Sequence, residues 1–337
     1  MQTAKQLNTT SIVPAEWSEH KAIWTAFPSH GDLWLENLED AQTEVAGMIQ
    51  ALAIGDHVKV LVMGPEAEQR AKDLLILNTD IEIIQSKFGD IWLRDTGPIF
   101  TTDGQALRFK NNGWGGKYSL EHDDTVGDDV AAQSGKPVAQ FHFVLEGGAV
   151  DQDGEGTLLT TAQCVLNPNR NTGWTKEVAE QNLCEAFGAS KVIWIDEGLV
   201  NDHTDGHIDN IARFVAPATV MCMSPYGDDD PNAEILNRIA EQLRNSTDAK
   251  GRKLEVIQIP SPGRIENEDG EVIPASHMNF IIGNKSVVVP LYDAPSSEQV
   301  LLAFEKVFPH HQIVGLPSIA ILSGGGSFHC ITQQEPA

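Results

Sequence analysis

Five polar residues stand out by type and by the glycine-rich context around them. Cys330 ends the run Gly324-Gly-Gly-Ser-Phe-His-Cys330, and His207 and Asp209 lie in Asp205-Gly-His-Ile-Asp-Asn210. Asp95 lies in Asp90-Ile-Trp-Leu-Arg-Asp-Thr-Gly-Pro98, and Glu146 stands directly before Gly147-Gly148. One thiol, one imidazole and three carboxylates suit attack on a planar cation. A guanidinium offers five N–H donors and stays protonated at neutral pH, with a pKa above ~12. Burying it requires carboxylates that accept those donors and offset its charge. Asp95 and Asp209 can hold opposite edges, with Glu146 on a third nitrogen, so that the central carbon stays electrophilic. Cys330 can then attack as a thiolate, which a free thiol of pKa ~8.5 becomes only if the bound cation or His207 favours it. His207 can protonate the departing ammonia and later activate water.

Each residue also has a structural alternative. Cys330 can be a small buried hydrophobe, although three preceding glycines permit a close approach of ligand to backbone. Asp95 can pair with Arg94, Glu146 can be a solvated loop acid, and His207 can be a structural histidine. His203, His207 and Asp209 also admit a metal reading, but H-x-D plus one further histidine lacks the compact spacing of a strong metal motif. No metal or cofactor is expected.

These residues are far apart in sequence, so the fold must bring them together. Asp95 to Glu146 is 51 residues, Glu146 to His207 is 61, and His207 to Cys330 is 123, about twice 61, as though one repeat were skipped. Helices and strands alternate along the chain. Leu38, Val45, Met48, Ile49 and Leu52 mark one helical face, before a strand at Val58–Val62. Pro65 opens a second helix before a strand at Ile81–Ile84. Thr175 and Gly188 bracket a third, followed by a strand at Lys191–Ile195. Asp230 and Pro231 start a fourth, leading to Leu254–Ile259, and Ser296 with Gln299 forms a capping box for a fifth. Ile313–Leu316 and Ile319–Leu322 read as strands, and Glu121–Asp129 and Glu266–Glu271 as surface loops. Helix starts at 175, 231 and 296 are 56 and 65 residues apart, and five equal units would take about 67 residues each (337/5). Each candidate residue is expected where a strand ends and a loop begins.

The bulk composition narrows the partners. With 48 acidic against 23 basic residues the formal charge is −25, which disfavours nucleic acid and anionic membranes and permits a cationic ligand, although it also serves solubility. Apolar runs such as Val287–Val289 are far too short to span a membrane. Met1–Pro14 shows no signal pattern, so a cytoplasmic location is expected. Cys164, Cys184, Cys222 and Cys330 form no CxxC pair. No linker divides the chain, which reads as one domain over 1–337.

Several segments resemble the agmatine deiminase family, within the guanidine-modifying superfamily that includes arginine and peptidylarginine deiminases. They are Trp92-Leu-Arg-Asp-Thr-Gly-Pro98, Leu145-Glu-Gly-Gly148, Thr157-Leu-Leu-Thr-Thr161, Asn167-Pro-Asn-Arg-Asn171, Gly206-His-Ile-Asp-Asn210, Asn279-Phe-Ile-Ile282 and Gly324 through Gln334. The resemblance implies a five-fold pseudo-symmetric α/β propeller of repeated ββαβ-type units with the active site at its centre. It implies Cys330 as nucleophile, His207 as acid/base, and Asp95, Glu146 and Asp209 as guanidinium-binding or catalytic acids. The implied reaction hydrolyses agmatine, a small cationic guanidine, to N-carbamoylputrescine and ammonia. Deimination of free or peptidyl arginine, amidino transfer, and guanidine binding without catalysis remain as alternatives, and a homodimer is in keeping with the family. One departure concerns Asp202-His-Thr-Asp205, where agmatine-specific members carry Asp-Glu-Thr-Asn, so His203 replaces a glutamate near the distal amine. Trp92, Trp114, Asp202 and Asp205 are candidates to line the entrance and receive the substrate's tail.

Overall fold

The computed structural model describes residues 11–76 and 79–337; the first ten residues of the N-terminal segment considered above lie outside them. Among the described residues the strands form five separate sheets. Four have three strands in one order: a first strand antiparallel to the second, then a helix crossing to a third strand parallel to the second. They comprise Ile99–Phe100, Ala106–Lys110 and Val138–Val144; Val150–Gln152, Thr157–Thr161 and Lys191–Ile195; Ala212–Ala216, Thr219–Ser224 and Glu255–Pro260; and Ile281–Ile282, Ser286–Leu291 and Gln312–Pro317. The fifth sheet joins the chain's ends. Thr332–Pro336 pairs antiparallel with His20–Ala26, which runs parallel to Val58–Val62 and that in turn to Ile81–Gln85.

The crossover helices follow from local signals. Lys176–Phe187 starts at Thr175, whose hydroxyl accepts the Val178 N–H, and ends at Gly188 in the left-handed conformation. Leu38–Leu52 buries Val45, Met48, Ile49 and Leu52 in one core cluster, and Ala233–Arg244 buries Leu236, Ile239, Ala240 and Leu243 in another. Among the described residues no helix is long and apolar enough to cross a membrane.

Several local expectations are corrected. Ile319–Leu322 is not a strand but part of a helix, Ile319–Ser323. Glu44, on the helix Leu38–Leu52, accepts the N–H groups of Ile319, Ala320 and Ile321 and so caps its first turn. That carboxylate satisfies donors a helix start leaves free, and it comes from 275 residues away. Glu121–Asp129 is only partly a surface loop, because a helix begins at Val126 and Asp123 is buried. Asp230-Pro231 forms a turn, and the fourth helix starts at Ala233. The Ser296 capping box does not form, since Ser296 is already helical in backbone angle and its buried hydroxyl makes no cap bond.

The placement of the five residues is corrected too. Of the five, only Glu146 stands just past the end of a strand, two residues after Val144. Asp95 lies in the short helix Leu93–Thr96, Glu146 caps the 3-10 turn Gly147–Ala149, His207 caps Ile208–Asn210, and Cys330 stands two residues before Thr332–Pro336. The shared rule is that each site segment leads into the first strand of a sheet. Asn279 holds the same place before Ile281–Ile282, and so fills the gap between His207 and Cys330.

Candidate active site

The five segments meet in a buried centre. Cys330 Sγ lies 3.5 Å from Asp209 Oδ2 and accepts a hydrogen bond from Asn279 Nδ2 at 3.1 Å. Asn279 Oδ1 meanwhile accepts the backbone N–H groups of His329 and Cys330, at 2.9 and 3.1 Å. One amide thus holds both the sulfur and the chain that carries it. Asp95 accepts from Gly148 N at 2.9 Å and from Trp114 Nε1 at 2.8 Å. His207 stands between two acids, with Nδ1 3.9 Å from Asp95 and Nε2 4.0 Å from Glu146. Convergence depends on Gly148, where a Cβ would fall 2.7 Å from His207 Nδ1, 2.9 Å from Asp209 Oδ2 and 3.1 Å from Asp95 Oδ1.

Burial and like charge set the electrostatics. Burial, then the charges of Asp209 and Glu146, push the Asp95 carboxyl up to about 8. Burial, with Asp209 and Asp95, pushes the Cys330 thiol well above its ordinary value, so the substrate-free sulfur is protonated. Burial depresses His207 to about 4, which keeps the ring neutral at pH 7. Burial alone would push Asp209 up, but the hydrogen bond and charge of His329, with His207 and Arg213, hold it below the usual range. Both ring nitrogens of His207, and Asp209 Oδ1, make no hydrogen bond among the described residues although they are buried. Orphaned buried polar atoms are costly, and here they belong to two of the residues that converge on the centre.

From Cys330 a cavity of about 280 Å³ runs outward between Trp34, Trp92, Trp114 and Tyr118. Trp34 and Trp92 stack, with centroids 6.2 Å apart, and both donate to Asp90. Tyr118, His203, Ser323 and Gly325 line both this cavity and a wider acidic groove, so the cavity opens there. Among the described residues, neither lysine nor arginine lines the inner cavity.

Other candidates face elsewhere. Glu146 is a buried partner of Arg170, whose Nε lies 3.0 and 3.3 Å from its two oxygens, which leaves it beside His207 Nε2. Asp205 is taken up by Lys117, Asn169 and Arg170. Asp202 accepts from Thr204 and Asn210, and lines the outer groove rather than the inner cavity. His203 meets the Tyr118 hydroxyl at 2.9 Å through Nδ1. Arg94 does not pair with Asp95; it donates to His329 O and Gln334. Glu146, Cys164 and His207 place ligand-type atoms within 4.8 Å of one another, a set that could accept a soft divalent metal, but the Arg170 guanidinium already occupies both Glu146 oxygens. Asn279, Asp90, Trp34 and Arg170 were not singled out from sequence. The doubled His207–Cys330 spacing was the available signal for Asn279.

The model of the Porphyromonas-type peptidyl-arginine deiminase family matches residues 12–336. The chain belongs to this family. A Yersinia pseudotuberculosis relative named "putative agmatine deiminase" is 36% identical, over 97% of this chain and 95% of its own. The solved agmatine deiminase of Enterococcus faecalis is 30% identical with a TM-score of 0.90, covering 97% of this chain and 96% of its own. That of C. jejuni, solved with substrate bound, is 28% identical with a TM-score of 0.88, covering 97% of this chain and 96% of its own. The α/β fold described above is thus shared along nearly the whole length of family members.

Proposed function

We propose that this protein is an agmatine iminohydrolase, acting through an amidino-cysteine intermediate at Cys330. The observation that carries this reading is the inner end of the aromatic cavity, lined by Cys330 and Asp95, where the thiol lies 3.5 Å from Asp209 Oδ2 and the other oxygen of Asp209 is buried without a hydrogen bond among the described residues. A guanidinium entering there gives Asp209 Oδ1 the donor it lacks and brings Asp95 a cation, and its charge favours ionisation of both Asp95 and Cys330. The thiol proton passes to neutral His207, whose imidazolium Asp95 and Glu146 flank, and Sγ bonds to the central carbon. His207 returns that proton as the C–N bond breaks and ammonia leaves. It then takes a proton from water, which adds to the amidino carbon, and the C–S bond breaks to release N-carbamoylputrescine and the thiolate. Glu146, fixed by Arg170, supports the ring and binds no guanidinium nitrogen in this scheme.

The five sheets support a five-fold pseudo-symmetric α/β propeller forming one domain, because each sheet is entered from a segment that contributes to the centre. The substrate's tail lies along Trp34, Trp92 and Trp114 and meets Asp90 and the acidic groove, whereas an α-carboxylate meets no lysine or arginine among the described residues that line the inner cavity. An uncompensated cost of ~3 kcal/mol is about a hundredfold in rate, so agmatine should exceed free arginine in kcat/KM by at least that. Ammonia release from agmatine, arginine and an arginyl peptide, with products identified by mass, tests this. Equal turnover of arginine would sink the agmatine assignment and leave the guanidine chemistry standing.

A further inference from the structure

The residue preceding the nucleophile has a buried carboxylate at each end of its ring. His329 Nδ1 lies 2.8 Å from Asp209 Oδ2, and Nε2 lies 2.9 Å from Glu16 Oε2. A neutral imidazole has one N–H and would turn a lone pair towards one of these oxygens. A ring with a proton on both nitrogens can donate to both oxygens at these distances.

The acceptors are themselves held as anions. Glu16 Oε2 is bonded to Arg213 and lies 3.9 Å from Arg94, while Oε1 accepts the Ile282 N–H at 2.8 Å. Arg213 is held in turn by Asp151 at 3.1 Å. Burial alone would push Glu16 up, but Arg213, His329 and Arg94 together hold it far below the carboxylate range. The titratable and charged groups facing His329 and its two acceptors are thus Asp209, Glu16, Arg213, Arg94, Cys330 and His207, with Asp95 and Asp151 beyond them. Asn279 also holds the His329 backbone N–H, next to that of Cys330, so the ring is presented from a fixed stretch of chain.

We propose that His329 is a positioning residue, an imidazolium clamped between Glu16 and Asp209 that commits Asp209 to its charged form and leaves Oδ1 free for the guanidinium. The proposal rests on the guanidine-hydrolase reading above. It gives the two binding acids different duties. Asp95, crowded and without a cationic partner, surrenders its proton when substrate arrives. Asp209 is charged beforehand and supplies the initial attraction. Without the clamp, both acids would hold protons in the empty site, and binding would have to expel two.

The test uses Cys330→Ser, which retains ligand without turnover, and reads agmatine affinity through tryptophan fluorescence at pH 6 and pH 9. With Asp95 alone releasing a proton near pH 8, affinity in this background should fall roughly 100-fold from pH 9 to pH 6. Adding His329→Gln should make the fall at least about tenfold larger, because Asp209 must also ionise. Glu16→Gln in the same background should shift it in the same direction by a smaller factor, and serves alone if His329→Gln does not fold. An unchanged pH ratio in the foldable variants, even with uniformly weaker binding, would assign His329 to packing and overturn the proposal. Failure of the otherwise unmodified enzyme to release ammonia from any guanidine would instead overturn the functional reading.

Discussion

Replacing Asp95 by Asn should stabilise the fold increasingly as pH rises while it removes activity. The carboxyl is buried, and burial with Asp209 and Glu146 lifts it from 3.8 to about 8. A folded-state value above the unfolded one means that the folded chain binds this proton more tightly. The carboxyl therefore costs nothing below pH 3.8, costs progressively more between 3.8 and 8, and has its full cost above 8. Each unit is ~1.4 kcal/mol, so the window from pH 5 to pH 8 spans three units, or about 4 kcal/mol. Asn brings an opposing and pH-independent penalty. Asp95 accepts from both Gly148 N and Trp114 Nε1, whereas the amide has one acceptor oxygen and leaves one donor unmet, at about 1–3 kcal/mol. The diagnostic quantity is thus the difference between variant and wild-type unfolding free energies, measured in urea at pH 5, 7 and 9. It should move in favour of Asn by about 4 kcal/mol across the range, whatever its value at pH 5. Agmatine turnover should fall by about a hundredfold or more, as loss of a charge-assisted bond of ~3 kcal/mol implies. A stability difference that stays flat from pH 5 to pH 9 would refute the claim that Asp95 is a strained acid waiting for a cation.

Cys330→Ser should lose turnover by several orders of magnitude while keeping its fold, since a hydroxyl is a far weaker nucleophile than a thiolate. Peptide mapping of a stalled wild-type reaction should find the amidino group on Cys330; finding it on Cys164, Cys184 or Cys222 would reassign the nucleophile. Asn279→Ala should lower kcat roughly tenfold or more, because it removes the donor to Sγ and the acceptor for two backbone N–H groups. Near-wild-type steady-state rates for Asn279→Ala would show that sulfur and backbone are held by other means.

Short-range pattern was enough to read the alternation of helix and strand, the Thr175 and Gly188 caps, and the five polar residues that the fold brings to one centre. Those features are local: a cap is set within four residues, and a motif declares its side chains by composition. The partners that give those residues their state are not local. His329 joins Glu16 across 313 positions and Asp209 across 120, Trp114 reaches Asp95 across 19, and Glu44 starts a helix 275 residues away. A carboxylate reads alike in sequence whether it meets a guanidinium of the protein or of a ligand. Only packing paired Glu146 and Asp205 with Arg170, turned Asp202 onto Thr204, and left Asp209 Oδ1 unbonded while Oδ2 lies 3.5 Å from the thiol. Sequence therefore determined which groups the protein has for its chemistry. Tertiary structure decided which of them are charged and which are free, because desolvation and pairing act through space between groups the chain keeps far apart.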